Sequence, residues 1–516
     1  MKHFWLLMLA LLLLVATFTA CSGNSGDENA RLVYELSADG ESYYVVENKT
    51  PDAKVAEIPE THKGKPVVSI GESAFARSAG LTKVIIPDSV TGINSYAFGN
   101  CTALTEIVVP DSVTSIGSDA FKGCTALTEI MLPDSVTTVG SNAFEGCTAL
   151  TEIVIPNSVT RLGNYAFLNC TALKKAVLPY GMTSVPDFVF SGCTSLAELV
   201  IPDSVTSIGY SAFDGCTSLN EIVIPDSVTK INSYAFGGCT GITEIVIPSS
   251  VTAIGEGAFV NCSGLSSISV ADGNTVYHSE GNCLIDTEWK GLIAGCKNSV
   301  IPTDGSVTRI GGDAFSGCTS LAELVIPDSV TDIGFLAFSG CTSLAELVIP
   351  NSVTSIGYSA FDGCTSLNEI VIPASVTHIG GAPNPYLFMG CTGLESITVA
   401  DGNTVYHSAG NCLIDTKQKI LIDGCKTSVI PKDGSVTVIG DHAFAFRTDL
   451  TEIVIPASVT SIDRFAFLRC EDLKVIRFDG TKAQWEQISK GKEWDKGIAA
   501  YTVFCTDGEL IKSVTQ

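Results

Sequence analysis

Basic residues are scarce in this chain: 30 Lys and Arg stand against 55 Asp and Glu, a net charge of −25. A surface of that sign repels phosphate backbones and anionic headgroups, which excludes nucleic acid and acidic lipid as natural partners. Histidine is scarcer, with 6 in 516 residues. His3 belongs to the extreme N-terminus, and His62, His278, His378, His407 and His442 are scattered along the chain. No Gly-rich phosphate loop, metalloprotease motif or nucleophile elbow occurs. The chain therefore reads as a non-enzyme, with no catalytic residue, resident metal or cofactor to assign. Its 45% hydrophobic and 16% charged content is that of a folded protein.

The N-terminal apolar run, Phe4 to Ala16, is short for a membrane span and follows Lys2. With Thr17-Phe18-Thr19-Ala20-Cys21 after it, residues 1–20 read as a signal peptide. Ala20 before Cys21 resembles a bacterial lipobox, although Phe18 stands where Leu is usual. That resemblance implies lipid attachment at Cys21, with residues 21–30 a polar tether and the lipid seated in the outer membrane.

What is abundant is repetition. In Leu104-Thr-Glu-Ile107-Val-Val109-Pro110-Asp-Ser-Val113-Thr-Ser-Ile116-Gly117-Ser-Asp-Ala120-Phe121-Lys-Gly-Cys124, each apolar position recurs 23 residues on. The Phe returns at 75, 98, 121, 144, 167, 190, 213, 236 and 259, then at 315, 338, 361, 388, 444 and 467. Leu104-x-x-Ile107-x-Val109 suits a short strand with one buried side, and Pro110 ends it. Val113 and Ile116 turn inward on the return path, Gly117 allows a bend, and Ala120-Phe121 is expected to start a short helical or 3₁₀ turn. One unit alone cannot bury these side chains; stacked units can.

Leu-x-x-Ile-x-Ile-Pro followed by Val-x-x-Ile-Gly-x-x-Ala-Phe-x-x-Cys resembles the BspA-like leucine-rich repeats of bacterial surface proteins. The likeness implies a right-handed, β-rich α/β leucine-rich-repeat solenoid with parallel strands on one face and short helical or 3₁₀ turns and strands on the other. It also implies surface display and adhesion, and it brings no catalytic residues. At about 4.8 Å per rung, 15–17 rungs would span roughly 75 Å. The organisation expected is an N-terminal β-hairpin cap over 31–66, the array over 67–478, and a C-terminal cap over 479–516. Two longer units lie near 264–318 and 393–447.

Thirteen of the 19 cysteines follow the repeat Phe by three residues; Ser78 and Arg447 take that place in the other two units. One Cys per rung suits a small buried group better than disulfides, which would consume rungs in pairs. The longer units align at an offset of 129, and both contain Ala-Asp-Gly-Asn-Thr-Val-Tyr-His-Ser. Each should form a hairpin, around Gly281-Asn282 and Gly410-Asn411. His278 with Cys283 and Cys296 matches no standard zinc spacing, which favours core filling by the two Cys. Pro383-Asn384-Pro385 reads as a surface loop.

An outward strand column carries Glu106, Glu129, Glu152, Glu198, Glu221, Glu244, Glu323, Glu346, Glu369 and Glu452, with Lys83 and Lys175 as basic exceptions. It is either a solvated face or a face for a basic partner. Tyr277 and Tyr406, expected to be exposed on the hairpins, are the alternative anchors. The function expected is binding of host or bacterial surface proteins or glycans through the repeat face; the alternative is a spacer or surface-layer scaffold.

Overall fold

The structure is a computed structural model that describes residues 29–381 and 386–513. The expected signal peptide, Cys21, most of the expected tether and Pro383-Asn384-Pro385, expected as a surface loop, lie outside the described residues. Each 23-residue unit forms one coil with two strand positions. The first carries the Leu-x-x-Ile segment, as in Glu152–Val154, which pairs in parallel with Lys175–Val177 and onward with Glu198–Val200. The second carries the Ser-Ile pair, as in Ser115–Ile116, which pairs in parallel with Gly92–Ile93 and Thr138–Val139. Two columns of parallel strands, hereafter the first and second sheet, result, one per side and each broken into several sheets, with the apolar core between them. Register is fixed because a one-residue slip would turn Ile153 out and Glu152 in.

The third side corrects the expectation of helical turns. Ala120-Phe121 and its equivalents lie in hydrogen-bonded turns, and the described residues contain one α-helix, Lys482–Gln487, in the C-terminal segment. The reason is local. Each regular rung has two left-handed residues, one just before Ala-Phe and one just before Cys. Asp119 (φ 57°) and Gly123 (φ 71°) are one such pair. A right-handed turn cannot propagate through either. Gly or Asn usually fills the second position, where they are at ease, whereas the first is taken by residues as large as Tyr165 and Phe188.

Phe rings stack along the axis from Phe75 to Phe259, centroids 5.1 to 6.0 Å apart and planes within 18°. A second stack runs from Phe315 to Phe388, and a third joins Phe444 to Phe467. The two breaks fall at the longer units. There the chain forms a three-stranded antiparallel meander, Tyr277–Glu280, Cys283–Asp286 and Gly291–Ala294, which rejoins the second sheet through Arg309–Ile310. Tyr406–Ala409, Cys412–Asp415 and Ile420–Gly424 repeat the arrangement. The tight turns have Gly281 and Asn282 at φ 55° and 57°, the signature of a two-residue hairpin. Gly295 and Gly424 stand where a Phe would be, and the next ring, Phe315 or Phe444, occupies the space a Cβ would need.

Three hydrogen-bond columns tie rung to rung besides the strands. Ser112 and Ser135 donate to the carbonyls of Val90 and Val113, at 2.6 and 2.7 Å. Thr114 and Thr137 donate to Thr91 and Thr114, both at 3.2 Å. The Cys124 and Cys147 thiols donate to the carbonyls of Phe98 and Phe121, again at 3.2 Å. At the N-terminal end Leu32–Leu36 pairs antiparallel with Tyr43–Asn48, which joins the second sheet beside Lys65–Ile70. At the other end Trp494 meets Phe467 edge-on at 5.9 Å, and Ala500–Cys505 with Gly508–Ser513 closes the first sheet. The helix Lys482–Gln487, ahead of Trp494 in the chain, begins at a capping box formed by Thr481 and Gln484.

Candidate functional site

Strand alternation sends the acidic column outward. Glu106, Glu129, Glu152, Glu198, Glu221, Glu244, Glu323, Glu346 and Glu369 are all exposed, while Ile107, Ile153 and Ile245 between the outward positions are buried. Basic side chains neutralise the column in places. Lys83 pairs with Glu106 at 2.9 Å, Lys175 reaches Glu152 at 3.5 Å and Glu198 at 3.8 Å, and Arg477 pairs with Glu452 at 2.5 Å. Among the described residues Glu221, Glu244, Glu323, Glu346 and Glu369 form no ion pair. Two residues further along each strand is a second outward column, and it is apolar. Val108, Val200, Val223, Val325 and Val348 are 72 to 79% exposed, with Met131, Val154, Val246 and Val371 also in the open. The result is a long face on which a carboxylate row runs beside a row of bare β-branched side chains.

The two Tyr anchors are not on any surface. Tyr277 is 6% exposed and Tyr406 4%, which overturns the expectation of exposed aromatics on the hairpins. Each ring enters the core because its strand begins there with an inward position. Each hydroxyl accepts a backbone N–H from the preceding coil, Ile254 at 3.0 Å and Ile379 at 3.2 Å. The shared Asn explains the conserved wording of the two units: Asn274 donates to Pro248 and Val251 carbonyls at 2.9 and 3.0 Å, and Asn403 does the same to Pro373 and Val376. His278 bonds Thr287 at 2.9 Å, while Cys283 and Cys296 are buried in the core.

All the described cysteines are free thiols, and all but Cys505 are buried. Burial pushes Cys124, Cys147, Cys216 and Cys239 well above the ordinary thiol range. They stay protonated at neutral pH, and a thiol is a far weaker nucleophile and metal ligand than a thiolate.

The array also holds a buried cation that the repeat pattern marks only as a missing Cys. Arg447 is 1% exposed. Its guanidinium donates to Gly424 O at 3.0 and 2.7 Å, to Phe388 O at 3.2 Å and to Cys391 O. Asp423 lies 3.9 Å away and accepts from the Phe388 N–H at 3.2 Å. On the second sheet a shallow polar depression of about 470 Å³ is lined by Ser115, Thr138, Arg161 and Asn164 among others. Arg161 is the one titratable group in its lining.

The sequence profile of the BspA type leucine rich repeat region matches residues 68–197, 183–305, 290–412 and 384–489. This chain belongs to the BspA type leucine-rich-repeat family. Among solved structures it is similar to a leucine-rich repeat protein from Bacteroides ovatus, with 31% identity over 72% of this chain and 94% of that one, TM-score 0.52. It is also similar to a leucine rich cell surface protein from Faecalibacterium prausnitzii, 29% identical over 92% and 99% of the two chains, TM-score 0.45. A leucine-rich repeat protein of T. pallidum is 32% identical over 36% of this chain and 87% of that one, TM-score 0.35. No curated protein matches. BspA type repeats are protein-interaction scaffolds, and no catalytic family is indicated. No described helix is long and apolar enough to cross a membrane.

Proposed function

We propose that this chain is a surface-displayed adhesion scaffold that captures cationic partner proteins on its first-sheet face. The observation that carries the reading is the pairing of columns. Unneutralised carboxylates attract and orient a basic surface, and the adjacent Val row supplies apolar area that gains free energy only when covered. Glu221 and Glu244 present both beside Val223 and Val246, and Glu198, which shares Lys175 with Glu152, continues the row beside Val200. Tethering through a lipid on Cys21 at the outer membrane would hold this face clear of the bilayer, and family membership supports the surface location. The partner is a host matrix protein or a protein of another bacterial surface.

The test is capture from host extracellular and bacterial surface extracts by the wild-type chain and by Glu198→Lys/Glu221→Lys/Glu244→Lys. A retained basic protein that is lost from the triple variant, and that elutes with salt, supports the reading. Equal retention by both chains would reject the strand face as the site. The anchor is tested apart: Cys21→Ala should move the protein from the detergent phase to the aqueous phase, and an unmodified N-terminus on the wild-type protein would contradict lipidation.

A further inference from the structure

The two longer units descend from one pattern, so their corners can be compared residue by residue at the offset of 129. In the second unit Asp441 is buried at a corner beside Tyr386 and Arg464. Its carboxylate accepts from Arg464 Nε at 2.8 Å, from the Tyr386 hydroxyl at 3.1 Å and from His442 Nδ1 at 2.6 Å. That corner carries its own guanidinium. In the first unit Gly257, Gly312, Asp313 and Phe335 occupy the places of Tyr386, Asp441, His442 and Arg464. The cation is gone, Gly312 replaces the Asp441 carboxylate, and a new carboxylate, Asp313, stands at the place of His442.

Asp313 is 6% exposed, and its Oδ2 is buried with no hydrogen-bond partner. Buried carboxylate oxygens are normally satisfied, so this one lacks a donor. Glu256 acts on it from the preceding coil, and both carboxylates act on Tyr234. Aromatic rings flank the position. A Cβ on Gly257 would lie 2.7 Å from the Tyr234 ring, and one on Gly312 would run into the ring of Phe335, itself 38% exposed. A buried carboxylate with an unpartnered oxygen, an exposed second carboxylate acting on it, and rings lying over its neighbours Gly257 and Gly312 together suit a flat organic cation, which bonds carboxylate oxygens and lies against π faces. A metal ion fits poorly, since among the described residues no group of three or more His, Cys, Asp or Glu is placed to hold one.

We propose that the corner formed by Tyr234, Glu256, Asp313 and Phe335 binds the guanidinium of an arginine side chain presented by a partner protein. The site lies on the turn side of the coil, apart from the strand face, and takes one residue rather than a surface. It lies one residue along from the place where Arg464 meets Asp441 in the second unit. Burial and Glu256 raise Asp313 to about 6, so the carboxylate is largely ionised at neutral pH and gains a counter-charge when the ligand arrives.

The probe is a short blocked peptide, Gly-Arg-Gly with a fluorescent label, set against the same peptide carrying citrulline, which keeps the shape and removes the charge. Fluorescence polarisation on the purified chain should show the arginine peptide binding at least tenfold more tightly than the citrulline one. Asp313→Asn should weaken the arginine peptide tenfold or more. Phe335→Arg, which supplies the cation found in the second unit, should abolish binding while thermal unfolding shows the chain still folded. Equal affinity for the two peptides, an unchanged affinity in Asp313→Asn, or no binding at millimolar peptide would each overturn the proposal.

Discussion

The first and second long units solve the same problem with different chemistry. Both must bridge a break in the Phe stack, where the meander strand ends at Gly295 or Gly424 against the next ring. The first unit does so with Ala294 and Cys318, both buried, and the Cys318 thiol reaches only Gly295 O at 3.7 Å. At the equivalent places the second unit has Asp423 and Arg447, a buried ion pair whose guanidinium gathers three backbone carbonyls. A small apolar filling needs nothing from its neighbours. A buried charge must be matched by partner and acceptors together, so the two substitutions make sense only as a pair.

The largest effect should therefore come from breaking that pair. Arg447→Cys alone leaves Asp423 buried and uncompensated, and should cost about 3–5 kcal/mol in the block that follows. The double variant Asp423→Ala/Arg447→Cys, which copies the first unit, should recover most of that loss. Urea unfolding monitored by hydrogen exchange of residues 420–478 would show both outcomes; a double variant as unstable as the single would mean that the pair is not a unit. Phe213→Ala should be nearly as severe locally, about 3–5 kcal/mol for a cavity in a close-packed core. Phe213 has rings on both sides whereas Phe315 stacks on one, so Phe315→Ala should cost less. Equal losses at the two sites would show that ring stacking contributes little beyond burial.

Acidity provides a finer comparison. Asp313 is raised to about 6 by burial and by Glu256, above its unfolded value near 3.9. The folded state then binds more protons than the unfolded state between those values, so stability rises as pH falls from about 7 to 4. Asp313→Asn should remove that slope from the first unit and raise the melting temperature at pH 7. An unchanged melting profile would place the Asp313 carboxyl in contact with water. Smaller still is the effect of one thiol. Cys239→Ala removes a donor to Phe213 O at 3.1 Å and a little volume, and should cost about 1 kcal/mol. Thiol titration in denaturant without reductant should find the described cysteines free; stoichiometric disulfides would contradict the column.

Much of this was legible from the apolar period, because Leu104, Ile107, Val113, Ile116 and Phe121 each recur where only stacking can bury them. The acidic column was legible for the same reason, since strand alternation fixes which side Glu198 takes. Other features were hidden because their partners lie a full coil away. Nothing in Asp-Ser-Val-Thr says that Ser135 donates to Val113 or that Cys147 donates to Phe121. The helical turn failed because Tyr165 and Phe188 do not announce a left-handed backbone. Tyr277 was misjudged by one step of the strand alternation, which sends His278 outward in its stead. Arg447 was visible only as a lapse in the Cys column; its match with Asp423 needs the coil geometry.

The proposal that partners dock on the first-sheet face is tested most directly by hydrogen exchange on the complex with a captured basic protein. Protection is predicted over Glu198–Val200 and Glu244–Ile247, while Ser207–Ile208 and Lys230–Ile231 on the opposite sheet exchange as in the free chain. Protection confined to the opposite sheet or to the end caps, with the Glu198 and Glu244 strands unchanged, would contradict the account.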